Sequence, residues 1–469
     1  MVTITATPKK ISITEENHVS LNELTGLARQ LLSFFDRYSL FFQRHNTSVA
    51  DKALQYLKGL FQAGKKNMER IEEKVQNVVY DQLQYFLSES KWHHKPIMKQ
   101  ISQDADQILG GHSDSAIYID ETGIPKKGEM SVGVARQWCG QSGKIDNCQV
   151  AVFATLGQGH HSTMIDCRLY LPEVWTKDDA RCYKAKIPVE ERQFKTKHEL
   201  AYEMIVNARE NGVRYKWIGF DSFYGNNSEF VRKLADNNEI FMADIHSNHH
   251  IYMENPCPYL PERTSKKGRK PTRLKSDVKP VQVKKWVEQQ AESAWQRINV
   301  RDTTKGELMV DILHEIVWLW DGKEETARQW HLVVRREIKS PHKKKYSLSN
   351  APIATSVARL AYMQAQRYWV ERPFQDAKQQ CGMGDYQARG WLAWHHHMTM
   401  VMLAMLFMTE QRIHYQDDIP LLSCPDIVEV LKFLLPRRDV TEEEVLRQLL
   451  VRHIKRQASI DAAFQKQQE

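Results

Sequence analysis

Twice in this chain a short apolar, β-favouring run ends at an aspartate. Ala116-Ile117-Tyr118-Ile119 runs into Asp120, and Tyr215–Phe220 (YKWIGF) runs into Asp221. Each reads as a buried strand that delivers a carboxylate to its tip. Behind Asp120 come Glu121-Thr122-Gly123 and then Pro125-Lys126-Lys127-Gly128, a basic turn. An acid at the end of a hydrophobic strand is costly to bury unless it is paired or binds a cation. One such aspartate is more often a turn or helix cap than a ligand. Two of them in one chain raise the question of a shared site.

The elements around these strands define the architecture. Gln149–Leu156 and Met164–Leu171 read as strands joined by a Gly-rich hairpin, Gly157–His161. Helical patterns over Glu199–Arg209 and Ser228–Asn237 alternate with a strand over Ile240–Asp244. A meander followed by strand–helix–strand units predicts an α/β fold, a mixed sheet flanked by helices. The N-terminal part is helical instead. Leu21, Leu24, Leu27, Leu31 and Leu32 recur at helix spacing, and so do Leu54, Leu57, Leu60 and Phe61. Lys65, Lys66 and Arg70 lie close together there, as a DNA-binding helical domain or a solvated bundle would have them. Asn255–Lys279 is rich in proline and basic residues, including Lys266, Lys267, Arg269 and Lys270, and reads as an exposed loop able to track a phosphate backbone. Val281–Arg336 carries five tryptophans in a β-like pattern and reads as an inserted β-rich subdomain, with one further strand at Lys343–Leu348. A long helix is predicted from Thr355 to Gln380, a second over Ala388–Glu410, and a last one starting at Thr441, loose beyond about Gln457. The expected boundaries are a helical N-terminal DNA-binding domain at 1–110, a core in two parts at 111–256 and 346–410, the insert at 257–345, and a helical C-terminal region at 411–469.

Composition narrows the setting. The net charge of +8 favours an anionic partner such as nucleic acid. The seven cysteines form no C-x-x-C pair, which argues for a reducing compartment and against a disulfide framework or zinc ribbon. The first residues lack a signal-peptide apolar core, and the apolar run Met398–Met408 is too short to span a bilayer. A soluble cytoplasmic protein is expected.

A third acid completes a candidate site. Glu371 has Arg367 four residues before it and Lys378 seven after, so one helix face would carry all three. Phosphodiester cleavage and strand transfer use divalent ions to activate the attacking oxygen and stabilise the leaving one. Mg²⁺ prefers carboxylate oxygens, waters and phosphate. Asp120, Asp221 and Glu371 are therefore the candidate trio. Glu121, Asp376 and Asp244 are rivals, and Asp244 is the most serious because it ends a neighbouring strand. His395-His396-His397 cannot chelate together, since consecutive helical residues diverge. Arg389, just before the apolar helix, is within reach of either a phosphate or a structural acid.

On these residues the chain resembles the DDE transposases of bacterial insertion sequences, in the branch with a β-domain inserted before the third acid. The matching pieces are DETGIPKKG at Asp120–Gly128, GFDSFYG at Gly219–Gly225, YSLSNAP at Tyr346–Pro352, and the Glu371 helix continuing into GMGDYQARGWLAWHHHM at Gly382–Met398. The resemblance runs from Ile117 to Phe407. It implies a ribonuclease-H-like core in which Asp120, Asp221 and Glu371 hold two Mg²⁺ ions, with Mn²⁺ able to substitute. Arg367 and Lys378 would position phosphate, and Lys126 and Lys127 would hold DNA beside Asp120. The branch signature is Tyr, Arg, Glu and Lys; Arg367, Glu371 and Lys378 fit it, and Gln364 stands at the Tyr position. The resemblance further implies cleavage at transposon ends and strand transfer into target DNA, commonly by cut-and-paste. It also implies a homodimer on double-stranded DNA, associated with the bacterial nucleoid. In some relatives a hairpin forms and an aromatic of the insert stacks on a flipped base, a role open to the tryptophans here. The other reading is a non-catalytic DNA-binding protein descended from such an enzyme.

Overall fold

The apolar runs assemble a ten-stranded mixed sheet. In chain order its strands are β1 (Ala116–Pro125), β2 (Ala135–Cys139), β3 (Lys144–Gln158), β4 (His161–Leu169), β5 (Trp217–Phe220), β6 (Phe241–Ile245), β7 (Gln296–Thr303), β8 (Gly306–Leu319), β9 (Arg328–Glu337) and β10 (Ser340–Ser349). The spatial order is β7-β8-β9-β10-β6-β5-β1-β3-β2, with β4 also on β3. This computed structural model describes residues 22–44, 47–262, 270–303 and 306–468; Lys266, Lys267 and Arg269 of the basic loop lie outside them. Contacts divide the described chain into two units. The sheet unit comprises Met98–Cys182 and Pro188–Gln375, and the helical unit comprises 22–97, Tyr183–Ile187 and 376–468.

In the sheet unit β1, β3 and β4 form an antiparallel meander, while β5 and β6 run parallel to β1. The central strands are buried along nearly their whole length, as strands covered on both faces must be. Helix α1 (Lys197–Glu210) packs on β3 and β4 and starts with a Thr196/Glu199 capping box. The short α2 (Ser222–Gly225) lies against β6, and α3 (Ser228–Asp236) follows it.

One expectation changes here. β1 does not stop at Asp120 but continues to Pro125, because it remains paired with β3 as far as Cys148. The strands of the predicted β-rich insert lie on this same sheet. Its last strand, β10, pairs antiparallel with β6 and carries β9, β8 and β7 onto the same sheet. Covering the β6 edge satisfies backbone groups that would otherwise be open.

The predicted long helix over Thr355–Gln380 is present from Val357 to Gln380, with one tightened turn inside it. It consists of α4 (Val357–Gln366), a tight 3₁₀ turn at Arg367–Val370, and α5 (Glu371–Gln380). Pro373 has no N–H to give to the Trp369 carbonyl one turn back. That carbonyl accepts the Ser162 hydroxyl instead, at 3.0 Å.

In the helical unit the apolar α6 (Trp391–His414) is the buried spine. Helices Ala50–Gln62 and Tyr80–Ser88 pack on it, as does α7 (Cys424–Leu434). The three histidines diverge as their spacing requires. His395 contacts the Trp391 carbonyl, His396 stacks on Trp92 at 3.6 Å between centroids, and His397 meets the Tyr56 hydroxyl at 2.8 Å. They are core residues, not ligands. Of the basic trio, Lys66 is buried and Arg70 pairs with Glu73, which leaves Lys65 exposed. The last helix, α8 (Glu442–Gln468), runs unbroken past Gln457. Among the described residues no helix is long and apolar enough to cross a membrane.

Gly225 ends α2 where its backbone meets β6, and a Cβ there would drive into the Asp244 carbonyl. Gly225→Ala should therefore cost about 2–3 kcal/mol of stability in urea unfolding, the scale of overpacking a tight contact. Gly128→Ala, where a Cβ meets open space, should be nearly neutral.

Candidate active site

The parallel ladder between β1 and β5 ends at the pair Ile119–Phe220. The next residue on each strand is an aspartate, so Asp120 and Asp221 are neighbours by register. Asp221 also caps α2, accepting the Phe223 N–H at 3.0 Å and the Tyr224 N–H at 3.4 Å. The bland reading of a strand-tip aspartate is thus true of Asp221, and the cap fixes its carboxylate beside Asp120. Asp120 accepts the Glu121 N–H at 2.7 Å. Burial, reinforced by the charge of Asp221, pushes the Asp120 carboxyl up to about 7, while Arg367 pulls the other way.

Arg367 is the cation of the site. Its Nη1 lies 3.9 Å from Asp120 Oδ2, and its Nε donates to Asp244 Oδ2 at 2.8 Å. Asp244 is the acid that seemed the main rival. It sits at the register position facing Ser347 on β10, whose hydroxyl donates to Asp244 Oδ1 at 2.7 Å. Gln364, buried on α4, donates in turn to Ser347 Oγ at 2.8 Å and to the Val333 carbonyl at 3.2 Å. A chain of contacts therefore runs from Gln364 through Ser347, Asp244 and Arg367 to Asp120. Gln364 occupies the position of the signature tyrosine and does structural work there.

The remaining predicted residues fall in several places. Glu371 begins α5, exposed, and close enough to act on the charge of Arg367. Among the described residues no group of three His, Cys, Asp or Glu side chains is placed to hold a metal ion. The acids converge as a pair, with Glu371 apart. Lys126 and Lys127 lie in the turn after β1, where the Lys126 backbone is tied to Asn147. Lys270 is exposed beside the basic loop. Lys378 lies on the last turns of α5 and Arg389 is exposed in the connection before α6, both in the helical unit. Glu121 faces away from Asp120 and pairs with Lys197 at 2.6 Å.

Sequence reasoning missed Arg335 and Lys345. They pair across β9 and β10, and both lie within the field of Asp244 and Arg367. Lys345 and Ser347 share one strand face, two residues apart, which was the available signal. Among the tryptophans, Trp286 and Trp330 are core, and Trp295 lies under Arg336 with 4.1 Å from guanidinium carbon to ring centroid. Trp320 helps line a cavity of about 330 Å³ with His249 and Asn226, just beyond α2.

The family pattern described as DDE superfamily endonuclease matches residues 39–307, more than half of the chain. The chain belongs to that family. It is also 24% identical over 307 residues to the probable transposase for insertion sequence element IS701 of Microchaete diplosiphon, covering 65% of this chain and 68% of the relative. The resemblance to insertion-sequence DDE transposases is thereby borne out. Among solved structures, the NurA nuclease from Sulfolobus solfataricus matches 63% of this chain and 90% of its own at 9% identity, with a TM-score of 0.26, too low to inform the fold.

Asp120 titrates at about 7 in the fold and near 3.8 when unfolded. Between those values the folded state keeps a proton that the unfolded chain has lost. Metal-free stability should therefore fall as pH rises from about 4 to about 7 and level off above. Asp120→Asn should remove this slope. It should match wild type near pH 4 and exceed it by about 1–3 kcal/mol at pH 8, discounted for partial solvent screening. Denaturant unfolding in EDTA across that range measures it.

Proposed function

We propose that this protein is a DNA transposase that cleaves phosphodiesters at the ends of its element and joins the freed 3′-hydroxyls to target DNA, by cut-and-paste. The observation that carries the reading is the parallel register that sets Asp120 and Asp221 side by side, with Arg367 against them. The order β4-β3-β1-β5-β6, a meander followed by two parallel strands, supports a ribonuclease-H-like core. The strands β7–β10 would then be its insert.

Two adjacent carboxylates are a hard-oxygen donor set whose mutual repulsion a divalent cation relieves, which suits Mg²⁺ or Mn²⁺. Asp120 and Asp221 would hold such ions, with Glu371 as the third acid. When bound, the ions would activate the attacking oxygen and stabilise the leaving one. The rest of the work belongs to the chain itself. Arg367, fixed by Asp244, presents its remaining donors to a phosphate beside Asp120. Lys345 and Arg335 add positive charge along the same strands. Lys126, Lys127, Lys270, Lys378 and Arg389, with Lys266, Lys267 and Arg269 of the basic loop, are the proposed contacts to double-stranded DNA. Trp320 is the aromatic proposed to receive a displaced base, should a hairpin form.

The test is cleavage of linear DNA carrying the element's terminal repeats, with Mg²⁺ and with EDTA. End cleavage should require the metal. Asp120→Asn, Asp221→Asn and Glu371→Gln should each lower its rate by about a hundredfold or more, the scale of losing one transition-state charge partner, while DNA binding persists. Arg367→Ala should raise KM along with the loss of rate. Binding without cutting by the wild type would favour the non-catalytic descendant. Cutting that survives in Glu371→Gln would remove Glu371 from the trio.

A further inference from the structure

Arg136 and Trp138 stand two residues apart on β2, so they share one face of the strand. Trp138 pairs with Ile145 on β3, and both side chains stand in solvent, 58% and 61% exposed. The ladder of β3 with β1 ends at Cys148, and its ladder with β4 ends at Ala151. From Asn147 back to Lys144 the strand is paired with β2. The two strands thus form a ribbon at the end of the sheet. Gly140, Gln141, Ser142 and Gly143 close it, all exposed.

A Trp–Ile pair across two strands ordinarily steadies a hairpin. This ribbon is anchored without it. On the opposite face Cys139 is buried with Cys148 and Val150, against Tyr170. Gly123 lies under Cys139, where a Cβ would meet the Cys139 Sγ at 2.9 Å. Gln137 donates to the Cys148 carbonyl at 3.0 Å. Asn147 donates to the carbonyls of Lys126 and Gly128 at 2.7 and 3.1 Å. The apolar pair is therefore held outward on a fixed platform.

Its surroundings are basic. Arg136 and Lys144, both exposed, flank the pair along the strands, and Lys126 and Lys127 lie in the turn tied to Asn147. The acids of the same stretch are Glu129 and Asp146, which leaves a positive balance. β1 leads to this turn from Asp120, and the strand from Asp120 to Pro125 spans about 17 Å, the length of about five base-pair steps. Two side chains fall far short of the roughly 800 Å² a side that a stable protein interface buries, and lysine is depleted at such interfaces. An aromatic face flanked by cations fits DNA instead: the ring stacks on a base and the cations meet phosphates.

We propose that the β2–β3 ribbon is a DNA wedge: Trp138, backed by Ile145, stacks on a base step opened in the duplex, and Lys127, Arg136 and Lys144 hold the phosphates on either side. This deepens the transposase reading and rests on DNA being the substrate. A wedge favours duplex that is already unstacked, because the cost of opening a step is then not incurred.

The test is equilibrium binding of the full-length protein, in EDTA, to two duplexes of one sequence, one intact and one with a two-nucleotide bulge. Wild type should bind the bulged duplex about tenfold tighter. Trp138→Ala should lose most of that preference, and Trp138→Phe should keep it. The fluorescence of 2-aminopurine placed beside the bulge should be quenched by wild type and by Trp138→Phe, but not by Trp138→Ala. Lys127→Ala with Arg136→Ala should weaken binding to both duplexes alike and reduce its salt dependence. Equal affinity of the wild type for the two duplexes, or preference and quenching that survive in Trp138→Ala, would overturn the wedge. Metal-dependent end cleavage is read separately. If it is present while the wedge fails, the wedge alone is lost; if it is absent while the Trp138-dependent preference stands, the transposase reading alone is lost.

Discussion

The sheet unit is organised around a repulsion. The β1–β5 register brings two carboxylates together at the point where the parallel ladder ends, and burial strengthens their mutual cost. Such an arrangement persists only if the surrounding structure opposes it. Here the opposition is Arg367, held against Asp120 by a second acid, Asp244. Much of the neighbouring architecture exists to keep that guanidinium in place. β10 pairs with β6 and so sets Ser347 against Asp244, and α4 brings Gln364 onto Ser347. The strands that read as an insert thus contribute directly to the electrostatics of the core.

The same segment shows how one covalent constraint redirects a site. Pro373 frees the Trp369 carbonyl, Ser162 of β4 takes it, and the chain tightens into a 3₁₀ turn between Arg367 and Glu371. Arg367 and Glu371 then stand at the two ends of this turn, with Glu371 within reach of the arginine's charge. Arg301 of β7 covers this turn, with its guanidinium 4.5 Å from the Trp369 ring centroid and 5.1 Å from that of Tyr368. The turn is therefore held from β4 on one side and from β7 on the other.

The helical unit is governed by burial. Its spine, α6, is apolar almost all round and takes its neighbours from both ends of the chain, which is why helices far apart in sequence share one core. The histidines that enter this core meet backbone carbonyls. His396 lies between the Leu87 and Trp92 carbonyls at 3.0 Å each, and burial pushes its imidazole down to about 4. Neutral, the ring has one N–H for the two carbonyls, and its stacking on Trp92 makes it a packing element.

The local order of residues decided a good deal. Apolar runs ending at Asp120 and Asp221 marked the two acids, because period and composition distinguish a buried strand from its polar tip. Helical spacing kept His395, His396 and His397 from a common ligand, and the Met-rich run was legible as a buried helix. Ordered motifs were enough to name the family. Pairing and charge partnership were decided only in three dimensions. Nothing in the neighbourhood of Asp244 says that it anchors Arg367, since the turn that carries the arginine lies 123 residues further along the chain. Pro373 passes unnoticed in a helical pattern, and what becomes of the carbonyl it leaves free depended on Ser162 of β4. Likewise the spacing of apolar residues along α8 is local, but only the pairing of Arg447, Arg452 and Lys455 with Glu72, Glu73 and Glu69 leaves Leu446, Leu450, Ile460 and Phe464 exposed. Periodicity is local and survives in the sequence; which groups meet across the fold depends on chain closure over long distances, which no local pattern encodes.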